Sequence, residues 1–183
     1  MAAEHSALSG FPQLHATADY IAKLQRPNGA IPWFGGGITD PWDHIEALMG
    51  LTVHGHWSGA VAGLQWLAER QRSAGAWYAA YNDQGVADDS RAETNFVAYV
   101  ATGLWHYFLI TGQRDVLQKF WPMVDRAMAF VLRQQADGGQ IYWAVDTHQG
   151  ANKDALITGC SSIYKSLECA LNIATELHEE RDA

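Results

Sequence analysis

Apolar positions recur at helical spacing along most of the chain, and glycines and prolines punctuate them. The first amphipathic run, Leu14 to Gln25, stops at Arg26-Pro27-Asn28-Gly29. A Gly-rich loop, Phe34-Gly35-Gly36-Gly37, leads to Asp40-Pro41-Trp42-Asp43. There Asp40 is the expected N-cap and Pro41 the first helical residue, and the helix is expected to run to His54. The next helix is Ser58–Arg72, stopped by Gly75. A polar loop, Asn82 to Asp89, precedes Ser90-Arg91-Ala92-Glu93, which has the spacing of a capping box. The helix it predicts runs to Thr111 and stops at Gly112. Arg114 to Gln135 reads as helical, with a break or new start at Pro122. Gln140 to Asp146 suits a short extended segment, and Asp154 to His178 the last helix, followed by a charged tail.

These helices alternate in character. Ser58–Arg72 and Arg114–Gln135 carry charge on one face, as half-wet helices do. Thr94–Ile110 is apolar nearly all round, with Phe96, Val97, Tyr99, Val100, Leu104, Trp105, Tyr107 and Phe108, and must be covered on several sides. Alternating half-wet and buried helices suit two concentric layers, and short connections make neighbours antiparallel. The prediction is an all-α domain over residues 1–183, built of antiparallel helical hairpins. About six helices are expected, half of what a closed ring of six hairpins needs, hence about half of an α/α toroid.

Three helix ends align. Tyr20-Ile21 is followed by Gln25, Gly29 and Trp33; Trp66-Leu67 by Gln71, Gly75 and Trp77; Phe130-Val131 by Gln135, Gly138 and Trp143. Glycine permits the left-handed turn that ends a helix, and the glutamine amide can satisfy exposed backbone groups there. The middle copy resembles the Gln-Trp repeat of squalene–hopene cyclases and related terpenoid cyclase and prenyltransferase-type toroids. The cyclases' Asp-x-Asp-Asp motif is absent. Thr111-Gly112-Gln113-Arg114-Asp115-Val116-Leu117, with Trp121-Pro122 and Arg126-Ala127, instead resembles six-hairpin glycosidases such as glucoamylases. Both resemblances imply an α/α toroid, and neither fixes the chemistry.

Composition narrows the options. Hydrophobic residues are 48%, charged residues only 17%, and the net charge is −8 with no basic run. Nucleic acid is therefore not an expected partner. No apolar run approaches membrane-spanning length, and residues 1–13 lack the pattern of a signal peptide. Cys160 and Cys169 are nine residues apart on one predicted helix, about 13 Å along its axis, too far for a disulfide. These features together predict a soluble, cytoplasmic protein with a small-molecule substrate.

In α/α toroids of this sort ligands bind where inner helices begin, which directs attention to Asp40–Glu46, Asp88–Asn95 and Thr158–Lys165. In the first, Asp43, His44 and Glu46 are candidates for general acid–base work, and Trp42 for stacking on a sugar or an isoprenoid carbocation. In the second, Glu93 is a further catalytic candidate, while Asp89, Arg91 and Asn95 suit ligand binding. Asp89 with Glu93 could hold Mg²⁺ for a diphosphate substrate; no dedicated metal site is expected. In the third, Ser161 and Tyr164 are candidates to bind ligand oxygens.

Three readings follow: an isoprenoid-acting prenyltransferase or terpenoid cyclase-like enzyme, a carbohydrate-active six-hairpin enzyme, and a non-catalytic binding or assembly module. The repeat and the aromatic content favour the first. Half a ring implies either a homodimer or a missing C-terminal half, since open edge helices would expose apolar surface.

Overall fold

The computed structural model describes residues 12–178; the first eleven residues and the charged tail lie outside the described residues. Six helices occur in it: α1 (Pro12–Leu24), α2 (Pro41–Val53), α3 (Trp57–Arg70), α4 (Thr94–Thr111), α5 (Arg114–Leu132) and α6 (Ile157–His178). Two small sheets sit between them. β1 (Ala80–Asn82) and β2 (Gly85–Asp88) form a hairpin, and β3 (Arg91–Glu93), β4 (Ala144–Asp146) and β5 (Gly150–Asn152) form an antiparallel sheet in the order β3-β4-β5. The helices pack in two rows. α2, α4 and α6 lie side by side as the inner row, and α3 packs on α5 behind them. The fold is all-α, made of antiparallel helical hairpins in the manner of an α/α toroid.

The apolar helix α4 sits between α2 and α6 and against α5. Val97, Ala98, Val100, Ala101 and Leu104 are completely enclosed. Small residues let its neighbours approach: a Cβ on Gly103 would stand 2.5 Å from Ile45 Cγ2 of α2. Pro122 does not break α5, which runs through it from Arg114 to Leu132. The proline faces solvent, where the missing N–H leaves no buried group unpaired.

The repeated helix ends are three copies of one loop. Gly29, Gly75 and Gly139 all have left-handed backbones, with φ of +94°, +96° and +90°. In each copy the glutamine four residues earlier donates its amide to the glycine carbonyl: Gln25 to Gly29 at 2.9 Å, Gln71 to Gly75 at 2.9 Å, Gln135 to Gly139 at 3.0 Å. The repeat glycine of the third copy is thus Gly139 rather than Gly138. The tryptophans are not equivalent either. Trp77 is buried and donates its indole N–H to Leu67 O at 2.8 Å. The residues in its place elsewhere are Ile31 and Ile141, both buried, while Trp33 and Trp143 lie further along.

Two local expectations fail for a common reason. The Ser90–Glu93 capping box does not form, because Arg91–Glu93 pairs with β4 and the helix starts at Thr94. Thr94 takes over the anchoring: its N–H donates to Trp143 O at 2.9 Å and its hydroxyl to Tyr142 O at 2.7 Å. The loop expected over Asn82–Asp89 is largely the β1–β2 hairpin, held to the Gly-rich loop by the reciprocal bonds of Thr39 and Tyr81, both 2.8 Å. In each case strand pairing overrides the local pattern: β3 pairs with the distant β4, while the β1–β2 hairpin pairs within itself and is tied down by Thr39. The Gln140–Asp146 segment is extended as expected, ending in β4.

Candidate active site

Asp40 caps α2 as the sequence predicts. Its Oδ1 accepts the backbone N–H groups of Trp42 at 2.9 Å and Asp43 at 3.0 Å. Its other oxygen accepts the indole N–H of Trp33. Asp40 is 4% exposed, and both of its carboxylate oxygens are engaged by these donors. Asp43 stands in the first turn beside it, open to solvent on one side. Partial burial, followed by the charge of Asp40, a hydrogen bond with that side chain and the charge of Glu46, raises the Asp43 pKa to about 6.

Facing this pair across a cleft of about 330 Å³ are Asp88, Arg91, Glu93 and Phe96, with Trp33 and Trp42 completing the walls. Arg91 ties the far side together. It lies 2.7 Å from Glu93 Oε1 and 3.3 Å from Asp88 Oδ2. The Asp88 carboxyl is held below its usual range by hydrogen bonds from Ser90, side chain and backbone, and by Arg91. Trp42 is a fixed wall: its ring stacks on Tyr99 at 3.9 Å and its N–H donates to Glu46 Oε1 at 2.9 Å. A second cavity of about 330 Å³, lined by Tyr20, Pro32, Trp33 and Asp43 among others, opens on the other side of Asp43.

The structure thus gathers Trp42, Asp43, Arg91 and Glu93 around one cleft, with Glu46 bracing Trp42 behind it. His44 does not join them. It is fully buried, with Nδ1 accepting the N–H of Ile31 at 3.1 Å and Nε2 3.1 Å from Gly63 O. Burial lowers its pKa to about 4, against smaller opposing effects of the Gly63 bond and the Asp40 charge. It is a neutral bolt between the loop after α1, α2 and α3, with both nitrogens occupied. Asp89 is exposed on the loop before β3, and its carbonyl accepts from Thr147 at 2.8 Å. Asn95 is half-buried in the first turn of α4. Ser161 and Tyr164 line a different depression, of about 660 Å³, with Leu156, Ile157 and Cys160. Among the described residues no three His, Cys, Asp or Glu side chains converge to hold a metal ion. Cys160 and Cys169 are both free thiols.

Several residues of the cleft carry no assigned site role in the sequence reading: Asp40 reads as the cap that opens the Asp40–Glu46 segment, Trp33 as a structural tryptophan of the repeat, Asp88 as the start of a polar segment and Phe96 as part of an apolar helix. The signal was in the spacing: Trp33 and Asp40 bracket a Gly-rich loop whose two ends, once it folds back, must meet.

The chain is 47% identical over 167 residues to an MMP endo-(1,4)-3-O-methyl-alpha-D-mannosidase of Mycolicibacterium hassiacum, a match covering 91% of this chain and 46% of that enzyme. It is a glycosidase likeness. The chain therefore spans about half the length of this curated relative. No protein-family model matches it. Among solved structures, a family 105 glycoside hydrolase of C. acetobutylicum superposes with a TM-score of 0.73 at 10% identity, over 93% of this chain and 53% of that one. An unsaturated glucuronyl hydrolase specific for heparin gives 0.71 at 14% identity, over 94% and 52%. At such identities the structures speak for the fold alone. The resemblance to six-hairpin glycosidases stands, and the one to terpenoid cyclases and prenyltransferases does not. The isoprenoid reading, its transferase chemistry and its diphosphate are overturned by the mannosidase relative. What misled was the Gln-x-x-x-Gly-x-Trp stretch, a way of ending outer helices that is independent of the substrate. Among the described residues no helix is long and apolar enough to cross a membrane.

Proposed function

We propose that this chain carries half of the active-site cleft of a glycoside hydrolase acting on a chain of α-(1,4)-linked 3-O-methylmannose. The observation that supports it is the Asp40–Asp43 pair at the start of α2, set in a cleft walled by Trp33, Trp42 and Phe96. Glycoside hydrolysis needs one carboxyl group that keeps its proton and another that stays ionised. Asp43, with its raised pKa, suits the proton donor to the glycosidic oxygen. Glu93, paired with Arg91, suits the carboxylate that faces the sugar from the other wall. The indole and phenyl faces offer stacking surfaces for the apolar side of a methylated sugar. The relative supports the substrate class, and the carboxyl groups of the cleft support the chemistry.

The test is hydrolysis of a 3-O-methylmannose oligosaccharide, with a cello-oligosaccharide as comparison. It is run on the chain alone and on the chain with the part of the M. hassiacum enzyme it does not cover. Release of shorter methylmannose oligosaccharides in either preparation, lost in Asp43→Asn, is expected. No cleavage in both, or cleavage indifferent to Asp43, would overturn the reading.

A further inference from the structure

Asp43 stands between two cavities of equal size and opposite character. Each has a volume of about 330 Å³, and Trp33 and Asp43 line both. The cavity on the Glu93 side is charged, with Asp40, Asp88, Arg91 and Glu93 around it. The other is bounded by α1, the loop after it and the first two turns of α2. Ile21, Leu24, Ile31, Pro32 and Ala47 form its walls, and Asp43 is the one charged group among the described residues that line it. The Trp33 indole is the partition. Its N–H is held by Asp40, on the charged side, which fixes the ring at the boundary. Tyr20 and Trp33, each more than half exposed, put aromatic rings at the mouth of the apolar cavity.

An apolar hollow with aromatic rings at its mouth suits a ligand that carries apolar surface of its own. The two carboxyl groups indicate which part of a substrate it takes. In glycoside hydrolysis the acid stands at the oxygen between two sugars, and the ionised carboxylate faces the anomeric carbon. Glu93 lines the charged cavity and not the apolar one, while Asp43 lines both. That arrangement puts the anomeric carbon in the charged cavity, the bridging oxygen at Asp43 and the departing sugar in the apolar cavity.

Resting on the glycosidase reading above, we infer that the cavity between Tyr20 and Ala47 is the leaving-group subsite, and that its apolar walls select a sugar whose 3-hydroxyl is methylated. In the reaction the bond from the anomeric carbon to the bridging oxygen breaks. Asp43 gives that oxygen its proton, and the oxygen departs as the 4-hydroxyl of the sugar in the apolar cavity. Water supplies a hydroxyl to the anomeric carbon, and its remaining proton restores the acid. A methyl ether brings apolar surface and one hydrogen-bond donor fewer than a hydroxyl. An unmethylated ring sets that hydroxyl against walls that are mainly hydrocarbon. One methyl group in such a pocket is worth roughly 10–200-fold in discrimination.

Location is tested on the chain itself, labelled at its Ile, Leu and Ala methyl groups. It is titrated with a 3-O-methylmannose oligosaccharide and with an α-(1,4)-mannose oligosaccharide of the same length. The NMR signals of Ile21, Leu24 and Ile31 should shift with the first, and should need roughly tenfold more of the second. Ala47→Leu, which fills the cavity with a good helix former, should abolish these shifts. The side of the bond is tested by kinetics. Ala47→Leu and Tyr20→Ala should slow cleavage of the methylated oligosaccharide roughly tenfold more than hydrolysis of the same oligosaccharide ending in an anomeric fluoride, whose leaving group needs no sugar subsite. Turnover of the fluoride also reports that the variants are folded. Shifts at Ile38, Ala79 and Ala80 of the charged cavity, with none at Ile21, Leu24 and Ile31, would overturn this subsite and leave the glycosidase reading standing. No shift in either cavity would overturn both. Equal losses on oligosaccharide and fluoride would place the cavity on the other side of the bond and overturn the assignment.

Discussion

Asp40 accepts the backbone N–H of Asp43 at 3.0 Å, so the residue that starts the helix also fixes the position of its neighbour's carboxyl. Partial burial and then the Asp40 charge put the Asp43 pKa at about 6. A proton donor with that pKa is in its active form below pH 6, so turnover should fall as pH rises through about 6. Asp43→Asn should cut kcat by roughly 10²–10⁴-fold, the usual worth of a positioned acid, with little change in fold. Because folding raises this pKa above its ordinary 3.8, the ionised form is the one the native state disfavours. Asp43→Asn should therefore raise the melting temperature more at pH 7.5 than at pH 4.5, which a pair of thermal scans would show.

Glu93→Gln separates the two walls of the cleft. It removes the charge that Arg91 holds at 2.7 Å while keeping the shape. Steady-state kinetics should show a loss of kcat of about 10²-fold or more if this carboxylate reacts. A change confined to KM would mean that Glu93 only binds sugar.

His44 makes the opposite pH prediction. Its pKa is lowered from 6.5 to about 4, so the unfolded chain takes up the proton first. The stability it confers is complete above pH 6.5 and is lost as pH falls toward 4. The shift corresponds to about 3 kcal/mol. Asp43 acts in the opposite sense over the same range, so urea unfolding at pH 7.5 and pH 4.5 is read as the part of the difference that depends on His44. In His44→Leu this dependence should shrink, at a cost of roughly 1–3 kcal/mol for each backbone partner left unpaired.

The repeat loops offer an internal control. Gly75→Ala meets both a left-handed backbone and Arg126 O at 2.2 Å. Gly139→Ala meets the backbone strain alone, about 1–2 kcal/mol. In the isolated chain the first should therefore cost at least ~2 kcal/mol more than the second. Equal losses would show that the Gly75 loop yields to the clash by shifting away from α5.

Trp33→Phe keeps an aromatic face at the cleft and removes the N–H that Asp40 accepts. It should lower kcat more than it raises KM, whereas Trp33→Ala should raise KM as well. Equal kinetics for wild type and Trp33→Phe would show that the indole bond is dispensable.

The helices were legible because their signals are local. Asp40-Pro41 starts α2, and Gly112, with φ of +65°, ends α4, as expected. The all-apolar run of α4 announced an enclosed helix. The Ser90–Glu93 segment misled because its fate depends on β4, some fifty residues away in sequence. His44 misled for a related reason. An imidazole between two acidic residues looks like chemistry, and only the three-dimensional placement of Ile31 and Gly63 shows that both its nitrogens are occupied. A carbohydrate reading was legible only in the Thr111–Ala127 stretch that resembles six-hairpin glycosidases, since Gln, Gly and Trp at helix ends describe how hairpins stack and say nothing of what lies between them.

The loop glutamines also grip the next outer helix, Gln25 through Gly59 O of α3 and Gln71 through Met123 O of α5, both at 2.9 Å. A joint that reads backbone asks little of the side chains on the helix it receives, beyond the room left by Gly59 beside Gln25 and the bond from Arg126 to Gln71. Outer helices can exchange nearly every residue, within the limits of their apolar stripe, while the pitch from one hairpin to the next stays fixed. The cleft gains from that: its walls can keep their spacing while outer-helix residues change, leaving the residues at the inner helix starts free to suit what the cleft binds.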